Sequence, residues 1–428
     1  MSTNPIRELT DLAIEMFDAQ PGMERFLRNS ISSGLGDPVL DGAFAPNGVL
    51  LEFHEGPALD KAVEALEKDP AMELFASREG EQHPMLSSAM GGSRQDMRGL
   101  VISMVASALR IMYFDSAEQT PAVLVQHVIE NYEALKKVGR SEAISIWVVH
   151  GLTGVSLPAG AQIATPWGIV KPAPVPSGQN FYPMGIFRPA TTAVLLRSYV
   201  CKVGVSRDES PTMLEPDVEF FSTDQRIREL LPLAFALAIE GERRCAPVVT
   251  FTTSLPPFSS GIGASSSARL GTPWQQTLVE EADIPAIEEW ARRLSTRHVD
   301  NLQVTARRIV SAIAERIDRS DALVDAVMAW ESLVGTRHET VFRVTAALSK
   351  LVEANPTERR ALRHQLGVTY DVRSRVVHGD TVDPIEVAQE ADKAIDIALS
   401  ATRALYGRRP EWLTYTSGER ADRLILEE

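Results

Sequence analysis

The sequence predicts an α+β module, residues 1–255, followed by an all-α helical bundle, residues 272–428. Helical and strand-like patterns are mixed in the first part, whereas every pattern after residue 283 is helical. A stretch rich in Ser and Gly, residues 256–271, separates the two parts and is typical of a flexible linker or loop. At 428 residues, the chain is also too long for one ordinary compact domain.

The predicted module is helical to about residue 142 and rich in strands after it. Apolar residues recur at helical spacing in 6–17, 58–68, 95–113 and 122–137. Apolar or alternating runs broken by Pro and Gly then predict strands at 144–149, 162–171, 192–205 and 248–254. One helix at 227–239 interrupts these strands.

The linker contains a Gly261-x-Gly263 pair that could suggest a phosphate-binding loop. Neither the lysine of a phosphate loop nor a following strand–helix–strand unit is present, so the linker interpretation is favoured.

The bundle is predicted from apolar stripes at i, i+3, i+4 and i+7, beginning with Ile287, Trp290, Ala291 and Leu294. Asn355 begins a capping-box sequence and predicts a short helix that ends near Gly367. A further helix is predicted to end at Gly379, and Asp383 is expected to cap the last long helix. The other predicted helices follow stripes through 302–317, 323–334 and 342–354.

The charge distribution argues against a long nucleic-acid groove. The net charge of the chain is −14, but residues 286–428 hold 21 Lys and Arg against 23 Asp and Glu. A nearly neutral bundle predicts a local phosphate pocket rather than an extended basic surface.

The sequence also predicts the compartment. No apolar run reaches the roughly 18 residues that a membrane span requires, and the first residues lack the pattern of a signal peptide. Cys201 and Cys245 are far apart, which argues against a disulfide framework and against structural zinc. We therefore expect a cytoplasmic protein without membrane contact.

The motif that can carry chemistry is Arg373 and His378, an arginine and a histidine with four residues between them. A guanidinium binds phosphate through paired hydrogen bonds, and an imidazole moves a proton near neutral pH, so the two can cut a phosphodiester without a metal. The same spacing occurs at 78–83, 293–298 and 359–364, so only the surrounding sequence can select among the pairs. On an ideal helix the two side chains are about 140° apart, which requires either a loosened helix end or a dimer partner.

The surrounding sequence does select the last pair. Three segments occur in a fixed order. The first contains Glu331 and reads AVMAWESLV, and the second begins one helix later at Arg343 and reads RVTAAL. The third is YDVRSRVVHG at 370–379. In this order the segments resemble the Apea-like HEPN family over residues 286–410. The resemblance implies an all-α HEPN domain that pairs as a dimer. Many members of that family are metal-independent endoribonucleases of toxin or anti-phage abortive-infection systems, and others in the wider superfamily are inactive binders.

The resemblance implies that Arg373 and His378 are catalytic. The alternative is that they have no catalytic role, with Arg373 an exposed arginine and His378 a histidine favoured at the end of a helix. Glu331 and Arg343 interrupt apolar stripes, so each requires a partner. Either Glu331 orients Arg373 and Arg343 contacts phosphate, or Glu331 and Arg343 form a structural ion pair. Tyr370 can donate to a phosphate oxygen, and the alternative is a packing tyrosine with its hydroxyl at the surface.

Weaker RNA-binding candidates are Arg359, Arg363 and Arg375, for which solvated helix charges are the alternative. Asp380 and Asp383 follow His378, but the capping role of Asp383 argues against a metal site. We expect neither a metal nor a cofactor.

The favoured function is a cytoplasmic endoribonuclease that dimerises through the HEPN bundle, cleaves RNA and acts in a toxic or antiviral response. A phage or cellular trigger is then expected to bind residues 1–255. The alternative is a non-catalytic HEPN dimerisation module or a sensor that binds RNA or a nucleotide.

Overall fold

The computed structural model describes residues 4–18, 56–77, 81–88, 91–115, 119–173, 191–207, 218–258, 264–266, 276–298, 300–335 and 340–426. Within these ranges the chain is mostly helical, with its sheets in the N-terminal part and helices alone after residue 283. No helix of the described ranges is long and apolar enough to cross a bilayer.

The N-terminal helices agree with the sequence periodicity to within a few residues at each end. The third of them is apolar on nearly every side and is buried along most of its length. The helices are α1 (Pro5–Asp18), α2 (Pro57–Glu67), α3 (Met97–Asp115) and α4 (Pro121–Gly139), with a 3₁₀ turn at Pro70–Phe75.

The main sheet has six antiparallel strands in the order β10-β9-β3-β7-β6-β5. A second sheet has the order β2-β1-β8, and β4 pairs in parallel with β11. Helix α5 (Val218–Ala238) follows β8 and is buried along its second half. The strands are β1 (Met85–Ser88), β2 (Gly91–Arg94), β3 (Ile144–Thr153), β4 (Val155–Ser156), β5 (Ile163–Thr165), β6 (Gly168–Pro172), β7 (Ala193–Cys201), β8 (Gly204–Ser206), β9 (Val248–Leu255), β10 (Ala264–Ser266) and β11 (Thr277–Leu278).

Strand β10 comes from the stretch that the sequence assigns to a linker. Its residues pair with Phe251–Thr253 of β9, so this part of the stretch extends the sheet. Residues 259–263, with the Gly261-x-Gly263 pair, and 267–271 lie outside the described ranges.

The C-terminal helices form the bundle. Helices α8 and α11 lie side by side at its centre, where the indole Nε1 of Trp330 donates a 3.0 Å hydrogen bond to the carbonyl of Ala394. The helices are α6 (Ile284–Arg297), α7 (Gln303–Val310), α8 (Arg319–Val334), α9 (Thr340–Val352), α10 (Pro356–His378), α11 (Pro384–Arg408) and α12 (Ser417–Leu426).

The predicted helix break near Gly367 is wrong, because α10 runs without interruption from Pro356 to His378. A glycine inside a helix costs about 1 kcal/mol relative to alanine. Leu366, Tyr370 and Val372 are buried on either side of Gly367. Burial of three such side chains contributes more than the glycine costs, so the helix continues.

The bundle and part of the sheet share one hydrophobic core. Leu152, Val170 and Leu195 of the sheet belong to the same cluster as the buried residues of α5 and of the bundle helices. The N-terminal helices form a second cluster with another part of the sheet, including Ile146 and Tyr199. The stretch 256–271 therefore does not separate two independent cores.

A buried polar cluster lies between α5 and the sheet. His150 is fully buried on β3, and its Nδ1 lies 3.0 Å from the hydroxyl of Thr252 and 3.4 Å from the Asp224 carboxylate. Arg228 Nε lies 2.7 Å from the other Asp224 oxygen. Burial lowers the pKa of His150 from 6.5 to about 3, and the charge of Asp224 opposes this shift. His150 is therefore neutral in the folded protein at physiological pH.

This burial predicts an acid-dependent loss of stability. Below about pH 6.5 the unfolded chain protonates His150 while the folded chain does not, so the free energy of unfolding should fall by about 1.4 kcal/mol per pH unit toward pH 3. Urea unfolding of His150→Gln between pH 7 and 4.5 should show a smaller slope than the unmodified protein. The control, His364→Ala, changes an exposed histidine and should keep the full slope. An unchanged slope in His150→Gln would mean that His150 is protonated in the folded state.

Candidate functional site

Helix α10 carries both motif residues and has well-defined ends. At its start, the Asn355 side chain accepts a 2.9 Å hydrogen bond from the backbone N–H of Thr357. At its end, Gly379 is left-handed with φ 83°, and the N–H groups of Gly379 and Asp380 donate to the carbonyls of Val376 and Arg375. This is a Schellman motif, and it places His378 at the last position of the helix.

His378 is exposed and Arg373 is half-buried. The Nε atom of Arg373 is buried without a hydrogen-bond partner, and none of the described residues forms an ion pair with its guanidinium. A half-buried guanidinium that has no carboxylate partner can bind an anion through the N–H groups that remain accessible.

Tyr370 and Glu331 lie beside Arg373. Tyr370 is buried, and its hydroxyl donates a long 3.4 Å hydrogen bond to Glu331 Oε1. The tyrosine ring packs edge-on against Trp330 with centroids 5.8 Å apart. Burial and the neighbouring Glu331 raise the pKa of Tyr370, whereas the charge of Arg373 opposes the shift. The ring of Tyr370 is therefore packed, as the second sequence alternative expects, and its hydroxyl is bound to Glu331.

Arg343 has a different partner from the one that the sequence suggests. Its guanidinium forms an ion pair with Asp422 of α12. Glu331 instead accepts the hydrogen bond from Tyr370, so the structural ion pair between Glu331 and Arg343 is not formed. Glu331 forms no ion pair with Arg373 within the described ranges, so its role as an orienting carboxylate for Arg373 stays a prediction.

Arg373 and His378 lie on different sides of α10. Because α10 stays helical through His378, the two residues are separated by about 140° around the axis and about 7.5 Å along it. Arg373 lies on the side of α10 that carries buried Leu366 and Tyr370, whereas His378 lies on the exposed side. On one regular helix the two side chains therefore leave the axis in different directions.

The weaker candidates differ in their partners. Arg375 is held by Glu386 at 2.6 Å and lies 3.2 Å from Asp371. Arg359 donates to two backbone carbonyls after the end of α9. Arg363 lies over the ring of Phe342, with its central carbon 4.6 Å from the ring centroid. Sequence reasoning missed Phe342, and its position directly before Arg343 was the available signal.

The acidic residues after α10 have a structural role. Asp383 caps α11 by accepting a 2.9 Å hydrogen bond from the backbone N–H of Ile385. Within the described ranges, no group of three or more His, Cys, Asp or Glu residues could hold a metal ion. Arg78 of the 78–83 pair lies outside these ranges. His298 of the 293–298 pair is bound instead to the hydroxyl of Tyr406 at 3.1 Å.

Comparison of the chain with protein-family models, with curated proteins and with solved structures finds no match. Functional assignment therefore depends on the residues of α8 to α12 and on their geometry.

Proposed function

We propose that the protein is a metal-independent endoribonuclease of HEPN type that acts as a homodimer. The observation that supports this most directly is the guanidinium of Arg373, which is half-buried and has no carboxylate partner among the residues that the structure describes. It stands five residues before an exposed histidine at a helix end. Such a guanidinium is suited to bind a phosphodiester, and an accessible imidazole is suited to move a proton.

In the proposed reaction the 2′-oxygen of a ribose attacks the adjacent phosphorus. The bond from phosphorus to the 5′-oxygen breaks, so the products are a 2′,3′-cyclic phosphate and a 5′-hydroxyl. His378 takes the 2′-hydroxyl proton or delivers a proton to the leaving 5′-oxygen. Arg373 stabilises the negative charge that develops on the non-bridging oxygens.

The geometry of α10 is our reason for proposing a dimer. Because one chain separates Arg373 from His378, we propose that a twofold axis near this helix brings Arg373 of one protomer to His378 of the other. Val377 and Ile385 are exposed apolar residues at the end of α10 and the start of α11, and they are available for such a contact; Val368 is also exposed but lies on the opposite side of α10 from Val377.

The biological setting that we propose is a cytoplasmic toxin or anti-phage abortive-infection effector. A phage or cellular trigger would bind residues 1–255. The shared core of sheet and bundle supports this role, since a change at α5 can reach the bundle through packed side chains.

The test is incubation of purified protein with total RNA in EDTA, followed by mapping of the new ends. We expect fragments with 5′-hydroxyl and cyclic phosphate ends at a rate that Mg²⁺ does not change. Uncut RNA, or cutting that EDTA abolishes, would contradict the proposal.

The second candidate function is a non-catalytic module that dimerises or binds RNA or a nucleotide. The separation of Arg373 and His378 within one chain favours it, because such a chain alone lacks a complete site. It predicts binding without strand scission in the same EDTA assay.

A further inference from the structure

The exposed ring of Phe342 and the guanidinium of Arg363 form a surface feature that the proposed reaction does not use. Phe342 stands in the first turn of α9 and is 55% exposed, and its neighbour Val341 is 51% exposed. Arg363 projects from α10 and lies 4.6 Å from the centroid of the Phe342 ring. We refer to Phe342 and Arg363 as the stacking platform.

The platform lies in a local excess of positive charge. Within the described ranges, Arg359, Arg360 and Arg363 have no carboxylate within ion-pair distance, whereas Arg375 of the same helix has two. Glu358 stands on the same turn and offsets one of these charges. Three arginines without carboxylates are notable in a chain of net charge −14, and they favour a polyanionic ligand.

We propose that the stacking platform binds an unpaired base of the RNA, which makes single-stranded RNA or an RNA loop the substrate class. This inference rests on the proposed function. A flat ring beside a planar guanidinium offers two faces on which a base can stack, and every base has such a face. In a duplex the bases are already stacked on each other, so only an unpaired segment can use the platform.

The distance along α10 allows one RNA strand to contact both the stacking platform and Arg373. Arg363 and Arg373 are ten residues apart on one continuous helix, which corresponds to about 15 Å. This is the length of a few nucleotides of one strand. A base held at Phe342 would therefore position a phosphate a short distance along the strand at Arg373.

Charge favours RNA over a second copy of the chain as the occupant. In a twofold contact centred on the platform, the same three arginines of each copy would face one another, and Glu358 would offset only one of the three charges in each copy. Phosphates would neutralise them instead. The apolar surface of Val377 and Ile385, near His378, is the better place for contact between protomers.

The test measures the affinity of His378→Ala protein, which keeps the platform, for a fluorescein-labelled single-stranded oligoribonucleotide in EDTA. Adding Phe342→Ala should weaken binding about tenfold, because stacking of one base accounts for roughly 5- to 100-fold in affinity. Phe342→Trp should retain full affinity, since its ring also stacks. The same RNA in a duplex should bind weakly to every variant.

Phe221→Ala is the matched control, because Phe221 is also exposed, at 49%, but stands on α5. It should leave RNA affinity unchanged. Equal affinity of the Phe342→Ala and parent proteins for single-stranded RNA would overturn the platform. The proposal would also be overturned if Phe342→Ala converted a dimer to monomers in sedimentation while its RNA affinity stayed the same. The ring would then belong to a contact between copies of the chain.

RNA cleavage by the protein that retains His378, measured with and without Phe342→Ala, distinguishes failure of this inference from failure of the proposed function. Cleavage that Phe342→Ala does not slow would overturn the platform and leave the nuclease intact. Platform-dependent binding without any cleavage would contradict the nuclease and leave the platform as an RNA-binding site. Absence of RNA binding by the unmodified chain would overturn both.

Discussion

Replacement of Arg373 by Ala should lower the rate of RNA cleavage by about 10²- to 10³-fold, the usual effect of removing one donor to a developing negative charge. The guanidinium has no carboxylate partner within the described ranges, so its loss breaks no ion pair. The variant should therefore unfold at the same urea concentration as the unmodified protein. The rate is measured on labelled single-stranded RNA in EDTA.

Arg375→Ala is the matched control for this prediction. It removes a guanidinium two residues away on the same helix, but one that Glu386 and Asp371 already hold. We expect its cleavage rate to stay within about twofold of normal, because two carboxylates already hold this guanidinium and leave it less able to bind a phosphate. If Arg373→Ala also retained full cleavage or full toxicity in cells, the assignment of Arg373 would be wrong.

Mixing two inactive variants tests whether the site is shared across the dimer. His378→Ala should lower cleavage by about 10²- to 10⁴-fold, as expected for loss of a proton-transfer group. In a dimer of one Arg373→Ala chain and one His378→Ala chain, one of the two shared sites keeps both groups. A mixture that exchanges subunits should recover about a quarter of normal activity. No recovery, despite verified exchange, would place both residues in a site formed by one chain.

The largest expected effect on stability is that of Trp330→Ala, a loss of about 3–5 kcal/mol in the free energy of unfolding. Trp330 is fully buried and joins three helices of the bundle. Its ring packs against Tyr370 of α10, and its indole N–H donates to Ala394 of α11. Equilibrium unfolding in urea measures the loss.

Two variants calibrate that measurement. Trp330→Phe keeps most of the ring but loses the indole N–H, so it should lose much less stability than the alanine variant. Val304→Ala trims a residue that is 54% exposed and should change stability by no more than about 0.5 kcal/mol. A small effect of Trp330→Ala would show that α8 and α10 do not depend on this contact.

The helix ends near the candidate site could be predicted from the sequence. Asn355 and Asp383 cap their helices as the sequence indicates, and Gly379 ends α10 in the left-handed conformation. Each of these features depends on residues within one turn of chain. The prediction that a helix ends near Gly367 was wrong, because this feature does not depend on neighbouring residues alone. The contacts that keep the helix intact come from residues distant in the sequence.

The pairing of the charged residues could not be predicted. The sequence indicated that Glu331 and Arg343 need partners, but it did not identify Asp422 or Tyr370. Asp422 is almost eighty residues from Arg343, and no periodic pattern connects them. The HEPN resemblance named Arg373 and His378, but their separation follows from a helix that remains regular to its last residue.

The sequence alone determined most of the helices, the long strands of the main sheet and most of the helix ends, and it indicated the residues that we propose for phosphodiester chemistry. These properties depend on apolar periodicity and on short-range hydrogen bonds, and both are determined by residues close together in the sequence. The tertiary structure decided that Arg373 has no carboxylate partner in the described part of the chain and that Phe342 lies exposed under Arg363. Such contacts depend on how helices distant in the sequence pack together, because packing selects which side chains meet.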